Sequence, residues 1–312
     1  MRVEAGNGHP IVVLLGADRA YVRQLAVALR SLSDAAESST YTAFVVGNEF
    51  DAEARRRLSE SCGPNVSLHW MSIPESTVRG IKLAGRNPLP TVYPLLAPQI
   101  LPPELSRVVS LDADVLVRRP LDELWNAELG AHALGAVRDA YLPLAGFELP
   151  WRRLGVDPRA AYFNAGVMVM ALDRWRAEGI SDRVLARMRS EALPNDEQSA
   201  LNAVLGDDWQ RLAPEWNTQA HHLAGDSARA WAFEDASTLA RAVADPAIVH
   251  FCAGDFGRPW QAGSSHPFRD EWFATLDRTP WAGWRPRRHW VRGALHRARR
   301  AGGELLGHRS AG

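Results

Sequence analysis

The chain is poor in the residue types that mark stapled or membrane-spanning proteins. Only two cysteines occur among 312 residues, Cys62 and Cys252, and they stand far apart. That argues against a disulfide framework and a cysteine-based zinc site, and makes a reducing, cytoplasmic setting the default expectation. No apolar run approaches the ~20 residues of a membrane-spanning helix. The first residues lack a basic stretch followed by an apolar core and a cleavage site, so no signal peptide is expected. Lysine is nearly absent: Lys82 stands alone against 35 arginines. With alanine also abundant, this reads as codon composition, and no function attaches to arginine being preferred.

What is present is ordinary for a globular chain: 46% apolar and 23% charged residues, in a length that holds one large α/β domain or two smaller ones. Twelve tryptophans are many; core packing is the plain reading for each, and flat binding surfaces the alternative. Net charge is zero but uneven. Residues 285–312 carry eight arginines and one glutamate, a charge of +7, which leaves −7 on the preceding 284 residues. In this tail Trp290, Val291, Ala294, Leu295 and Ala298 can share one helical face opposite the arginines. That pattern suits an interfacial helix on an anionic membrane, with a solvated end as the bland alternative. No recognised nucleic-acid module accompanies the charge, so nucleic acid is not an expected partner.

Hydrophobic periodicity gives the architecture. Ile11 to Leu15, Tyr41 to Val46 and Val66 to Trp70 read as buried strands. Between them lie a helix pattern over Tyr21 to Leu32, with Leu25, Ala28, Leu29 and Leu32 on one face, and a helix Ala52 to Glu60 capped by Asp51. This alternation predicts α/β with right-handed crossovers and ligands beyond the carboxyl ends of the strands. Thr91 begins a short helical segment that Pro102-Pro103 ends. Further strands are expected at 107–117, at Leu134 to Val137, over Tyr162 to Met170, and late at Trp209 to Leu212 and Ile248 to Phe251. Helices are expected near Asp122–Trp125, Asp173–Ala177 and Asp182–Ser190, and from Asn195 or Asp196 as a cap. Residues 140–161 read as a long loop, of the kind that more often carries function than not.

The stretch Val108 to Val117 concentrates the chemistry. Apolar residues lead up to Asp112 and Asp114 and resume behind them. Two bare carboxylates inside a buried strand would be costly without partners, so they belong at its carboxyl end, where they can converge on one cation. Nineteen aspartates in this length give about one Asp-x-Asp by chance, and the chain has one, so the motif alone is weak. A second signal is the Asn164-Ala165-Gly166 interruption of an apolar strand, which suggests close approach of a ligand to the backbone.

Four blocks, in order and spacing, resemble the family 8 glycosyltransferases, which include bacterial lipooligosaccharide galactosyltransferases and glycogenin-like enzymes. They are Gly16-Ala17-Asp18-Arg19-Ala20-Tyr21; Leu111-Asp112-Ala113-Asp114; Tyr162-Phe163-Asn164-Ala165-Gly166; and His250-Phe251-Cys252-Ala253-Gly254 running to Arg258-Pro259-Trp260. Asp196-Glu197-Gln198 resembles the family's acidic-Gln helix start. The resemblance implies a single GT-A type domain over residues 1–284, a Rossmann-like mixed sheet flanked by helices, followed by the basic tail 285–312. It implies retaining transfer of a hexose, galactose or glucose, from a UDP-sugar to a hydroxyl acceptor on a glycan, a lipid-linked glycan or a small molecule. The location would be cytoplasmic, with the tail at the inner face of the membrane.

By the same resemblance Asp112, Asp114 and His250 are metal ligands; two carboxylates with one imidazole suit Mn²⁺ better than Mg²⁺. Donor contacts fall on Ala17, Asp18, Tyr21, Asp112, Ala113, Asp139, Asn164, Ala165, Gly166, Gly254 and Arg258. Glu197 and Gln198 lie beneath the reacting sugar carbon as the catalytic pair, with helix capping as their plain alternative. The chain departs from the pattern at Ala20, often Asn; Leu95, often Arg; and Glu197, usually Asp. Those departures motivate a catalytically silent nucleotide-sugar-binding protein as the alternative. A nucleotidyltransferase would also place paired aspartates on a metal, but the N-terminal part lacks the Gly-rich, basic loop for it. Residues 140–161 and 214–231 are the expected acceptor-choosing loops.

Overall fold

The computed structural model describes residues 10–84, 89–224, 233–252 and 254–287. Its first part alternates strand and helix: β1 (Ile11–Gly16), α1 (Val22–Asp34), β2 (Tyr41–Val46), α2 (Ala52–Ser61) and β3 (Val66–Met71). The apolar runs of β1 and β2 are buried on both faces, as parallel strands covered by helices must be. On α1 the stripe Leu25, Ala28, Leu29 and Leu32 is fully inside. Asp51 starts α2 as its spacing predicts, its Oδ1 accepting the Ala54 N–H at 2.8 Å.

The later strands are β4 (Arg107–Asp112), β5 (Val115–Val117), β6 (Leu134–Arg138), β7 (Phe163–Ala171), β8 (Gln210–Arg211), β9 (Thr218–Gln219) and β10 (Ile248–His250). The later helices longer than one turn are α3 (Leu172–Ala177), α4 (Ile180–Ser190), α5 (Asp196–Leu205), α6 (Ala236–Ala244) and α7 (Arg269–Leu276), and the expected short helix Asp122–Trp125 is present as well. Seven strands form one mixed sheet in the order β3-β2-β1-β4-β7-β6-β8, and β5-β10-β9 form a second. In the large sheet the pairings run every strand one way except β7, which is antiparallel to both β4 and β6. This is the mixed α/β architecture expected, built as one domain.

Three expectations change in detail. The run 107–117 is two strands, because the turn at Asp112-Ala113-Asp114 lifts the chain out of the large sheet and hands β5 to β10. Asn195 stands at the N-cap of α5, yet its side chain caps nothing, and Asp196 adopts φ +46° with its Oδ1 taking the Ala84 N–H instead. The segment 140–161 is ordered by short helical turns at Ala145–Phe147 and Trp151–Leu154 over a small core that includes Leu142, Leu149 and Tyr162. Strand β9 was not anticipated; two polar residues carry no periodicity to read.

The tryptophans resolve toward packing. Trp175, Trp209 and Trp272 are fully buried, and Trp281 and Trp284 lie under the guanidinium groups of Arg57 and Arg23. Arg285 pairs with Asp277 and covers the Phe273 ring, so the first residue of the expected tail is anchored. Residues 288–312 of that tail lie outside the described residues. Among the described residues no helix is long and apolar enough to cross a membrane.

Replacing Asp51 by Ala removes the cap of an exposed helix end and an exposed ion pair with Arg19. We expect a loss of about 1 kcal/mol in a urea titration.

Candidate active site and metal centre

Strands β2 and β3 extend the large sheet on one side of β1, and β4 starts the other side. The order therefore reverses between β1 and β4, and such a switch point leaves a crevice at the carboxyl ends of the strands. Gly16 and Asp112 are register partners at that edge. A Cβ on Gly16 would stand 3.0 Å from the Pro90 carbonyl oxygen, so the small residue lets the loop close over β1. Asp18 then caps the following turn, its Oδ1 accepting the Tyr21 N–H at 3.0 Å. The Tyr21 hydroxyl accepts from Arg258 Nη1 at 3.1 Å, while Arg258 Nε donates to the Phe251 carbonyl. A phenol and a guanidinium from opposite ends of the chain thus form one wall.

Opposite them stand the two aspartates. β10 pairs with β5 so that His250 faces Val115, and the Phe251 N–H donates to the Asp114 carbonyl at 2.9 Å. His250 Nε2 consequently lies 3.6 Å from Asp112 Oδ2 and 3.4 Å from Asp114 Oδ1. The three ligand atoms fall within 4.8 Å of one another, close enough for one cation to touch all three. Desolvation and the like charge of Asp114 raise the Asp112 carboxyl above the usual range. Burial works the same way on Asp114, but the hydrogen bond and charge of His250 more than reverse it. His250 is raised: burial opposes its charge and the two carboxylates outweigh burial. A divalent cation at this place would supply positive charge to the two carboxylates. Two carboxylate oxygens and an imidazole nitrogen also make a donor set suited to such an ion. The residues present fit a metal.

The far wall is the start of β7. Its register against β6 jumps from Val137–Asn164 to Ala136–Met168, so Ala165, Gly166 and Val167 bulge out of the pairing. Gly166 backs the metal trio: a Cβ there would lie 2.2 Å from His250 Cε1 and 3.0 Å from Asp112 Oδ2. The freed Gly166 N–H donates to Asn164 Oδ1 at 3.0 Å and the Ala165 N–H to Gln198 Oε1 at 3.1 Å. Asp139 accepts four hydrogen bonds, from the Tyr141 and Leu142 N–H groups on Oδ1 and from Asn164 and Gln198 amides on Oδ2.

One cavity of about 270 Å³ collects these groups. Ala17, Asp18, Tyr21, Asp112, Ala113, Asp114, Asp139, Asn164, Glu197, Gln198, His250 and Arg258 all line it. Ala165, Gly166 and Gly254 are not among its lining residues; a Cβ on Gly254 would lie 2.7 Å from that of Ala220. Leu95 is fully buried and gives the cleft no polar group. Thr91, Tyr141, Gln219, His221 and Cys252 line the cavity without having been singled out from sequence. Tyr141 and His221 belong to the two expected acceptor loops and stack on each other at 4.6 Å. Burial pushes the Cys252 thiol up to about 12, which makes it inert as a nucleophile. Glu197 Oε2 accepts from Thr91 Oγ1 at 2.7 Å, and desolvation pushes its carboxyl up to about 8.

Comparison with known proteins follows the same lines. A family model described as "Glycosyl transferase family 8" matches residues 12–263. General stress protein A of Bacillus subtilis (strain 168) is 30% identical over 200 residues, 61% of this chain and 65% of that protein. A "Probable galacturonosyltransferase-like 9" of Arabidopsis thaliana is 28% identical over 240 residues, 70% of this chain and 60% of that protein. The chain therefore spans less than two thirds of either relative. Among solved structures, the galactosyltransferase LgtC in complex with donor and acceptor sugar analogs superposes with a TM-score of 0.74 at 22% identity, covering 86% of this chain and 96% of that one. At that identity the likeness is one of fold.

Two outcomes test this geometry. A methyl group in Gly166→Ala pushes His250 off the aspartates; we expect a loss of Mn²⁺ affinity by isothermal titration, with about 1–3 kcal/mol of destabilisation in denaturant. Glu197 titrates from an ordinary 4.5 when unfolded to about 8 when folded. Between those values the folded chain holds a proton that the unfolded chain has released, so stability falls as pH rises through that window. Glu197→Gln removes this dependence, and its urea midpoints should decline less than those of the wild type between pH 5 and 8.

Proposed function

Because this chain belongs to glycosyl transferase family 8, we propose that it is a retaining hexosyltransferase. It moves galactose or glucose from a UDP-sugar to a hydroxyl acceptor, with a divalent cation held by Asp112, Asp114 and His250. The observation that carries this reading is the meeting of those three ligand atoms in one cleft with Arg258 and Tyr21. An isolated metal trio could be structural. A trio that shares a cavity with a guanidinium and a phenol has the chemistry to hold a nucleoside diphosphate.

The residues divide the work. Tyr21 offers a ring face to the base, and Arg258 a planar donor fork to the diphosphate. When bound, the cation neutralises charge that develops on the leaving diphosphate. Carboxylates with an imidazole favour Mn²⁺, with Mg²⁺ as the lesser choice. Asp139 and Asn164 orient the sugar, and Gln198 lies beside them, its amide fixed by Ala165 and Asp139. Glu197, protonated until about pH 8, is a poor nucleophile in neutral solution. Asp139 has both oxygens engaged. Neither carboxylate is free for a covalent intermediate, which favours acceptor attack and diphosphate departure on one face of the sugar. The Tyr141 and His221 loops at the rim are where an acceptor glycan, lipid-linked glycan or small molecule would enter. In this reading residues 1–284 are the transferase domain, and the basic tail 285–312 meets an anionic membrane surface from the cytoplasmic side.

The test is a panel of nucleotide sugars with and without Mn²⁺, read by thermal shift and by released UDP. A metal-dependent shift with one UDP-hexose and UDP release is expected. Asp112→Asn and Asp114→Asn should each lower turnover by about 10²-fold or more and abolish the metal-dependent shift, while circular dichroism stays unchanged. Undiminished turnover by either variant defeats the proposal. Binding without transfer would identify a silent nucleotide-sugar-binding protein, and pyrophosphate release a nucleotidyltransferase.

A further inference from the structure

The metal trio has a buried neighbour that the reading above leaves without a role. Asn217 ends the short helical turn Pro214–Asn217, just before β9, and β9 pairs with β10 so that Thr218 faces Val249 and Gln219 faces His250. Its side chain is fully buried and sits between two groups of the cleft. Nδ2 donates to Asn164 Oδ1 at 2.9 Å, and Oδ1 faces His250 Nδ1 at 3.0 Å.

The orientation of this amide is not arbitrary. A backbone N–H can only donate, and two of them in the β7 bulge fix the polarity of everything attached. The Gly166 N–H claims Asn164 Oδ1, so the Asn164 amide nitrogen must turn the other way, where it meets Asp139 Oδ2 at 3.1 Å. Asn164 Oδ1 is then an acceptor toward Asn217 as well, which turns the Asn217 nitrogen to it. That leaves Asn217 Oδ1, a pure acceptor, facing the imidazole. Only a protonated Nδ1 satisfies that contact. The other ring nitrogen, Nε2, is the one directed at Asp112 and Asp114.

We propose that Asn217 is the positioning residue of the metal centre, holding His250 as the Nδ1–H tautomer so that the Nε2 lone pair is free to bind the cation. The inference rests on the metal-binding reading and extends it inward by one layer. An imidazole ligand is commonly fixed through its other nitrogen, and loss of such a partner weakens metal binding. The unusual feature here is the length of the chain of command. Asp139 and Asn164, the expected sugar contacts, are joined through Asn217 to the metal ligand, so the donor pocket and the metal centre share one oriented hydrogen-bond line.

The experiment uses Mn²⁺ alone, with binding read from the loss of the free-ion EPR signal. Asn217→Leu keeps the volume and removes both hydrogen bonds; Mn²⁺ affinity should fall by about 10–100-fold. Asn217→Asp keeps an acceptor for Nδ1–H and should bind Mn²⁺ at least as well as the wild type to within about threefold. Zn²⁺-loaded protein labelled with ¹⁵N-histidine should show a proton on His250 Nδ1, a readout that remains should Asn217→Leu fail to fold. Unchanged Mn²⁺ affinity in Asn217→Leu, equal losses in the Leu and folded Asp variants, or a His250 Nδ1 without a proton would overturn the inference while leaving the metal site standing. A wild type that binds no Mn²⁺ overturns both.

Discussion

Two carboxylates on either side of one residue, facing the same cleft, repel each other, and the rest of the site is arranged around that repulsion. The burial of Asp114, with a side chain only 11% exposed, sharpens the problem, because water screens the pair only from the more open Asp112 side. His250 and Arg258 bring positive charge to the same place from a stretch more than 130 residues downstream. In the proposed function a divalent cation balances the two carboxylates and gives the site its hold on an anionic diphosphate. A divalent ion bound by two carboxylates and a neutral imidazole retains little excess charge of its own. Arg258, which lines the same cavity, would then face the remaining phosphate charge.

The fold meets this constraint with backbone as much as with side chains. The reversal of strand order between β1 and β4 opens the crevice, and the exit of the chain at Ala113 turns both carboxylates into it. The second sheet exists to deliver His250: β5 leaves the aspartates and immediately pairs with the strand that carries the imidazole. The β7 bulge supplies two N–H groups that a regular ladder would have consumed. Those donors orient Asn164 and Gln198, whose amides then converge on Asp139. The proposed sugar contacts and the candidate metal ligands are therefore two ends of one hydrogen-bonded array.

Much of this was legible in the sequence because it is local. Strand–helix alternation, the α1 stripe and the Asp51 cap are properties of a few neighbouring residues, and they fall where periodicity puts them. The aspartates and the Asn164-Ala165-Gly166 interruption stood out for the same reason: each is polar chemistry set in an apolar run. Thr91, Asn217, Gln219 and His221 did not stand out. Nothing in their immediate neighbours is unusual, and each becomes a site residue only through a partner 25 or more positions away, as with Asn217 and His250, 33 apart. The break of the aspartate stretch into β4 and β5 was hidden similarly, since Val115, Leu116 and Val117 are as apolar in one sheet as in another. The tryptophans follow the plain reading, core packing: the cavity has none of them among its described lining residues.

The departures from the family pattern acquire a physical meaning once the contacts are known. A glutamate at position 197 in place of the usual aspartate carries its carboxyl one methylene further from the backbone. That reach ends on the Thr91 hydroxyl, which lies on the segment leading to the buried Leu95. Leu95 is buried and does not line the cavity, so it adds no charge there. Burial favours the protonated form of the Glu197 carboxyl, which is bonded to the Thr91 hydroxyl. In the proposed function a neutral acid at 197 can donate to a substrate hydroxyl as well as accept from it, which an ionised carboxylate cannot.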